Sequence, residues 1–275
     1  MSYHALRRIL GGQCNAFAIF TVFVVLALPS TPHAQDAALT FDGIDDIATI
    51  PSTNNWPSST SSLTVEAWIR PSDLSRHEYI AIVRGGGISF TLQQHRTDTS
   101  AMVWTISRGA THSAQSPTGA LVEGRWDHFA GTYDGTTMRI YQNGDLVAEE
   151  DHTLPGNVQV RGDLLLAFRP GSPNFAGTID EVRVWLTVRT QEQIKGSFGR
   201  TLTGAEPDLI GYWRLGEGVG QVISDSSTIA NDGVLGTTTA VEPEDPLWTD
   251  QAAPLAFFFD GFENGDTDGW STTVW

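Results

Sequence analysis

The sequence predicts an all-β protein, an antiparallel two-sheet sandwich or jelly roll, and three observations carry that expectation. Turn-forming pairs recur at Asp42-Gly43, Asp134-Gly135, Asn143-Gly144, Asp232-Gly233, Asp260-Gly261, Asn264-Gly265 and Asp268-Gly269. Such pairs accept the positive φ of tight hairpin turns. The runs between turns are short and rich in β-branched and aromatic residues, as in the seven residues Thr136 to Gln142 between two of these turns. Only Thr190 to Lys195 reads as helix, with Thr190 as N-cap and Gln193 completing a capping box. No motif repeats at a fixed period of about 20–50 residues, which disfavours solenoids and propellers.

Taken in order, the chain starts with an expected export signal. Arg7 and Arg8 precede an apolar run of 13 residues, Ala16 to Leu28, and no acidic residue occurs before Asp36. A basic start, a short apolar stretch and small residues near the cut describe a secretory signal peptide, placed here at 1–34 with cleavage after Ala34. An uncleaved anchor is the alternative, although the run falls short of the ~20 residues of a spanning helix. Strands are expected at Leu63 to Arg70, Tyr79 to Arg84, Ile88 to Gln94, Met102 to Ser107, Trp126 to Tyr133, Leu164 to Phe168 and Thr178 to Leu186. The β domain is expected over 35–249. From 250 to 275 a linker at Ala253-Pro254 leads into a tail, Phe257 to Ser271. That tail is similar to short segments that close many secreted bacterial proteins and are suspected to act in sorting or surface retention; an added hairpin is the alternative.

Composition excludes several functions. Lys plus Arg number 16 and Asp plus Glu 32 in 275 residues, a formal charge of −16. Loss of Arg7 and Arg8 with the signal would make it −16 − 2 = −18. A surface this acidic repels phosphate backbones, so nucleic acid is not an expected partner. The single cysteine, Cys14, rules out an internal disulfide or a Cys-based zinc site. Export without disulfides fits a bacterial secreted or surface protein.

Alternation along two strands sorts their side chains. Leu63, Val65, Ala67 and Ile69 share one face, Thr64, Glu66, Trp68 and Arg70 the other. In the later strand Asp180 shares the parity of Val182, Val184 and Leu186, whereas Glu181, Arg183 and Trp185 point the opposite way. Asp180 is thus expected to face the core, where a bare carboxylate costs several kcal/mol unless it finds a cation or several donors.

Six segments in one order resemble the laminin-G-like jelly-roll family, a concanavalin A-type sandwich. They are Ala38 to Asp46, Leu63 to Pro71, Trp126 to Gly135 with Tyr141 to Gly144, Gly177 to Trp185 with Arg189-Thr190 and Ile194, Leu209 to Gly218, and Asn231 to Leu235. The resemblance implies a non-catalytic binding or adhesion module, often carrying a structural calcium. It further implies that the ion sits where the Phe-Asp-Gly turn of the opening strand meets the strand bearing Ile-Asp-Glu. That would bring Asp42, the Gly43 backbone and Asp180 together, a set of oxygens of the kind calcium takes. The alternative is that Asp42 and Asp45 cap a turn while Asp180 accepts backbone N–H bonds.

For the ligand, Glu66, Trp68 and Arg70 with Glu181, Arg183 and Trp185 would form two charged-aromatic rows on one sheet face, the residue types that bind sugars. The competing expectation is cross-strand ion pairs and packed indoles. His95, Arg96, Trp104 and Arg108 fall mid-chain, where loops could shape a site. Constellations for catalysis fail. Asp180 and Glu181 are adjacent and face opposite ways, Pro243 and Pro246 keep Glu242 to Asp245 out of a central strand, and no nucleophile elbow occurs. Arg161-Gly162-Asp163 is a common tripeptide, and His128 reads as a structural histidine. The sequence therefore points to a secreted, monomeric binding module for an extracellular glycan or protein. A glycan-processing enzyme of related fold and a surface-displayed structural protein are the alternatives.

Overall fold

The structure, a computed structural model, describes residues 37–255 except 53–54, 76–78, 86, 153–155, 169–173 and 244, and the backbone alone of 79–85 and 87–89. The expected export signal and the tail from Phe257 lie outside the described residues. Strands run β1 Ala38–Asp42, β2 Ala48–Ile50, β3 Ser59–Thr60, β4 Leu63–Pro71, β5 Tyr79–Gly85, β6 Gly87–Gln94, β7 Met102–Arg108, β8 Ala110–Gln115, β9 Asp127–Tyr133, β10 Thr137–Gln142 and β11 Asp145–Asp151. They continue with β12 Val158–Gln159, β13 Asp163–Leu166, β14 Ala176–Trp185, helix α1 Gln191–Lys195, β15 Leu209–Trp213, β16 Val222–Ile223, β17 Gly233–Leu235 and β18 Leu247–Thr249.

Two eight-stranded antiparallel sheets form the sandwich. The first has the order β11-β10-β9-β4-β14-β1-β18, with β15 also on β14; the second has the order β16-β17-β2-β13-β5-β6-β7-β8. β14 is long enough to pair along one edge with two strands in succession: β1 opposite 176–179 and β15 opposite 182–185. The opening strand therefore does lie beside the Ile-Asp-Glu strand.

Alternation places Leu63, Val65, Ala67 and Ile69 of β4 in the core with Phe129, Met138, Ile179 and Val184, facing Phe90, Leu92, Met102, Trp104 and Ile106 of the second sheet. Trp104 is thus a core residue rather than part of a loop site. It is fully buried, donates from Nε1 to the Thr132 carbonyl at 3.2 Å, and lies flat against Gly131 of the opposite sheet.

The turn chemistry follows the residue pairs. Asn143 and Gly144 have φ of 50° and 82° between β10 and β11, the geometry of a tight hairpin. Helix α1 is short but fully capped: Thr190 Oγ1 accepts from Gln193 N at 3.3 Å and Gln193 Oε1 accepts from Thr190 N at 2.9 Å.

β14 departs from strict alternation. Its register against β4 slips between Asp180, opposite Trp68, and Arg183, opposite Glu66, and Glu181 sits at φ 52°. The extra residue is a β-bulge, which reverses the facing of the residues on its N-terminal side relative to those on its C-terminal side. Ile179 and Val182 both face the core. Asp180 does not: the expected core-facing orientation is corrected to the outer face, on the side of its partner Trp68.

Candidate functional site

The outer face of the first sheet is a second, polar core. Glu66 and Trp68 of β4, His128 of β9, and Arg183 and Trp185 of β14 project there. The segment C-terminal to β14, including α1 and Phe198, closes over them. Trp68 donates from Nε1 to the Phe198 carbonyl at 2.8 Å, and the Phe198 ring packs 5.8 Å from Trp68 and 5.5 Å from His128. Ile194 of α1 packs on Ala130 and Tyr141.

Glu66 is the hub. Its Oε1 takes Arg189 NH1 at 2.9 Å, and its Oε2 lies 3.3 Å from His128 Nε2 and 3.7 Å from Arg183 NH1. Arg183 also reaches the Ser197 and Arg200 carbonyls at 3.1 and 2.8 Å and Glu181 Oε2 at 2.6 Å. Tyr212 donates to the same Glu181 oxygen at 2.6 Å. Two carboxylates and two guanidinium groups balance in charge. Burial pushes the Glu66 carboxyl up, but His128 and the two arginines more than reverse it and hold it at about 2. Burial pushes His128 down, so its imidazole is neutral.

The ligand rows are therefore corrected. Glu66, Trp68, Arg183 and Trp185 do share one sheet face, yet they are 0%, 4%, 0% and 3% exposed. Glu181 is equally buried. Arg70, half-buried at the rim, is bound to the Gly124 carbonyl at 2.9 Å and to the Gln251 amide oxygen. The cross-strand ion pairs and packed indoles won because α1 and its flanks cover the face, a packing that no single strand pattern reveals.

Asp180 is likewise tied structurally. Its carboxylate accepts the N–H of Ala253 at 2.8 Å and of Glu181 at 2.9 Å, anchoring the chain as it leaves the last strand. Burial raises its pKa well above the carboxylate range. Asp42 pairs with Ala176, four residues along β14. At ~3.3 Å per residue that is about 13 Å away, so Asp180 and Asp42 do not form one site.

The acidic turn after β1 gathers a different set. Carboxylate oxygens of Asp42, Asp45 and Asp46 all lie within 4.8 Å of one another. Gly43, at φ 77°, turns the chain; Asp42 Oδ1 accepts Ile44 N at 2.7 Å and Asp46 Oδ2 accepts Asp42 N at 2.6 Å. Burial pushes Asp46 up to about 6, opposed by the Asp42 N–H and reinforced by the charges of Asp42, Asp45 and Asp245. Asp245 Oδ1, beside Gly236, is buried without a hydrogen-bond partner. Converging hard oxygens, one of them on a carboxyl pushed up by burial and further by its acidic neighbours, are a fitting donor set for a divalent cation. Asp42, Asp45 and Asp46 would hold it. The turn from Asp42 to Asp46 was legible as a source of carboxylates because three aspartates fall within five residues; Asp245, distant in sequence, was not.

On the second sheet, β7 and β8 present Ser107, Thr111, Ser113 and Gln115 outward, the last three exposed. Among the described residues no helix is long and apolar enough to cross a membrane.

Comparisons with known proteins agree with this architecture. A family model described as the concanavalin A-like lectin/glucanases superfamily matches residues 42–195, more than half of the chain. Pappalysin-1 from mouse is 33% identical over 103 residues, and the human protein 31%. Those matches cover 36% of this chain, which spans only 6% of either relative. A candidate carbohydrate-binding protein from Bacteroides ovatus superimposes with a TM-score of 0.59 at 23% identity, covering 77% of this chain and 61% of that one. A heptameric SAP-like pentraxin from Limulus polyphemus gives 0.50 at 16% identity, covering 59% and 82%.

Proposed function

The chain belongs to the concanavalin A-like lectin/glucanases superfamily, and we propose that it acts as a non-catalytic, exported binding module for an extracellular glycan or protein. The observation that carries this function is the fate of the four acids buried in the strands of the first sheet. Glu66 and Glu181 are held by arginines, Asp180 by two backbone N–H groups, and Asp127 by Arg125, Gln142 and Asn143 at 2.7, 3.0 and 2.9 Å. Each is occupied in holding strands and loops together. The hydroxyl and amide groups of Thr111, Ser113 and Gln115 along the exposed β8 edge supply polar contacts for the ligand.

A glycan array probed in calcium and again in EDTA tests the function. Binding to at least one glycan class, weakened by EDTA, is expected. A blank array in both conditions would remove the glycan half of the proposal and leave protein adhesion.

Calcium at Asp42, Asp45 and Asp46 supplies the positive charge this turn lacks and ties the end of β1 to the start of β2. The sign of its linkage to pH is defined. Asp46 has a folded pKa of about 6 against an ordinary 3.8, so the folded state holds the extra proton between those values. Its contribution to stability is present below about pH 4 and lost as pH rises through about 6. Calcium binds the ionised form and should cancel that loss, adding ~2.7 kcal/mol at a hundredfold excess over Kd. Melting temperature from pH 4 to 7, with calcium and with EDTA, checks this. Asp46→Asn should abolish the calcium response and Asp180→Ala should retain it; an identical curve in calcium and EDTA would remove the metal.

A further inference from the structure

Along one side of the sandwich the outermost strand of each sheet faces the other, β11 of the first and β8 of the second. Each contributes a histidine to the seam. His112 lies in β8 opposite Ile106, at the parity of buried Ala114 and therefore on the inward side of its strand. His152 follows β11 directly, and its backbone N–H donates to the Thr136 carbonyl at 2.7 Å, which prolongs the pairing of β11 with β10. Both side chains are half-buried. Their ring centres stand 5.1 Å apart with the planes at 61°.

The backbone fixes one tautomer. His152 Nε2 lies 3.2 Å from the Ser113 carbonyl oxygen. A carbonyl only accepts, so Nε2 carries the hydrogen of the ring, and in the neutral imidazole Nδ1 keeps its lone pair. A backbone carbonyl that holds the far N–H is the arrangement by which metal-bound histidines are oriented. His112 engages neither ring nitrogen in a hydrogen bond among the described residues. Each ring thus has a nitrogen to give.

Spacing and charge agree. With metal–nitrogen bonds of ~2.0–2.1 Å and a tetrahedral angle, two imidazoles on one ion stand about 5 Å apart, centre to centre. The two rings can therefore share an ion by side-chain rotation, without movement of either strand. Glu150 and Asp151, both exposed at the end of β11, immediately precede His152 and make the surroundings attractive to a cation.

We infer that His112 and His152 form a two-imidazole site for a divalent late transition metal of the zinc or copper class, which clips the outer strands of the two sheets together. Imidazole nitrogen suits these ions, whereas calcium and magnesium take oxygen. The seam and the acidic turn after β1 accordingly select different metals. Two protein ligands leave the remaining positions to water, so the site is an open one. The inference goes beyond the proposed binding function and does not depend on it.

The test adds zinc chloride to the full chain in a buffer with excess calcium, which competes for the acidic turn. Zinc is expected to raise the melting temperature by about 5–10 °C at a hundredfold excess over Kd. His112→Asn and His152→Asn should each weaken zinc binding ~10-fold or more in titration calorimetry. Melts without zinc show whether each variant is folded, and His112→Gln or His152→Gln replaces one that is not. Electron paramagnetic resonance with copper(II) should show coupling to two imidazole nitrogens in the unaltered chain and to one in either variant. Sedimentation should give the same mass with and without zinc. Absence of a zinc response, zinc binding unchanged in both variants, or a copper spectrum with oxygen ligands alone would each overturn the inference. Zinc-induced dimers would also overturn it, because rings from two copies would then share the ion. None of these outcomes bears on the glycan array, so the site and the proposed function fail separately.

Discussion

Glu66→Ala is expected to destabilise the domain by about 3–5 kcal/mol, the cost of stranding buried charge after one partner is removed. Glu66 is 0% exposed and takes the charge of Arg189 at 2.9 Å and Arg183 at 3.7 Å. Without it, Arg183 keeps only Glu181 as an ion-pair partner, and Arg189 loses the ion pair that pins the start of the helix segment to β4. Urea unfolding of the variant and parent measures the difference; a change below about 1 kcal/mol would place Glu66 among exposed pairs, whose median worth is that small. The same network sets the acid limb. Because the folded pKa of Glu66 is depressed to about 2 from 4.5, its stabilisation is complete above pH 4.5 and is lost as pH falls through about 2.

Trp104→Ala is expected to cost a similar ~3–5 kcal/mol, through lost burial and a cavity between the sheets. Its indole is fully buried, packed at a tilt with its ring centre 5.7 Å from that of Phe90, and seated on Gly131, where an added Cβ would come within 2.4 Å of the ring. Gly131→Ala alone should cost ~1–3 kcal/mol by overpacking. The two substitutions are therefore predicted to be non-additive: in the Trp104→Ala background the extra methyl enters the space the indole leaves and its penalty vanishes. A double-mutant cycle in urea with additive values would mean the glycine is not there to admit the ring.

The sheets that bury one face were legible in the sequence because hydrophobic alternation marks them. β4, β9 and β14 announced themselves through runs such as Leu63, Val65, Ala67 and Ile69. β8 and β11 did not. They are edge strands, largely exposed, and their Asp145, Glu149, Glu150 and Asp151 or Thr111, Ser113 and Gln115 carry no apolar period to read. Acidic residues on the β11 edge also discourage pairing with another chain.

At the candidate site, residue types were legible and their surroundings were not. That Glu66 and Arg183 could share a sheet face was legible from the alternation along their strands; that the strands are neighbours and the two residues pair was not. That α1 and Phe198 cover the pair depends on tertiary packing, which alternation does not encode. One left-handed residue, Glu181, moved Asp180 from the expected inner face to the outer one, and a non-glycine at positive φ leaves no mark in a hydrophobic pattern. The Asp42-Gly43 turn was legible as a turn, but the approach of Asp245 spans most of the chain.

Binding and turnover measured together on one polysaccharide panel test the central claim, that this sandwich holds a ligand without transforming it. The account predicts at least one polysaccharide retained by the protein with no reducing ends released over hours. Release of new reducing ends that disappears when two carboxylates are replaced together would contradict it.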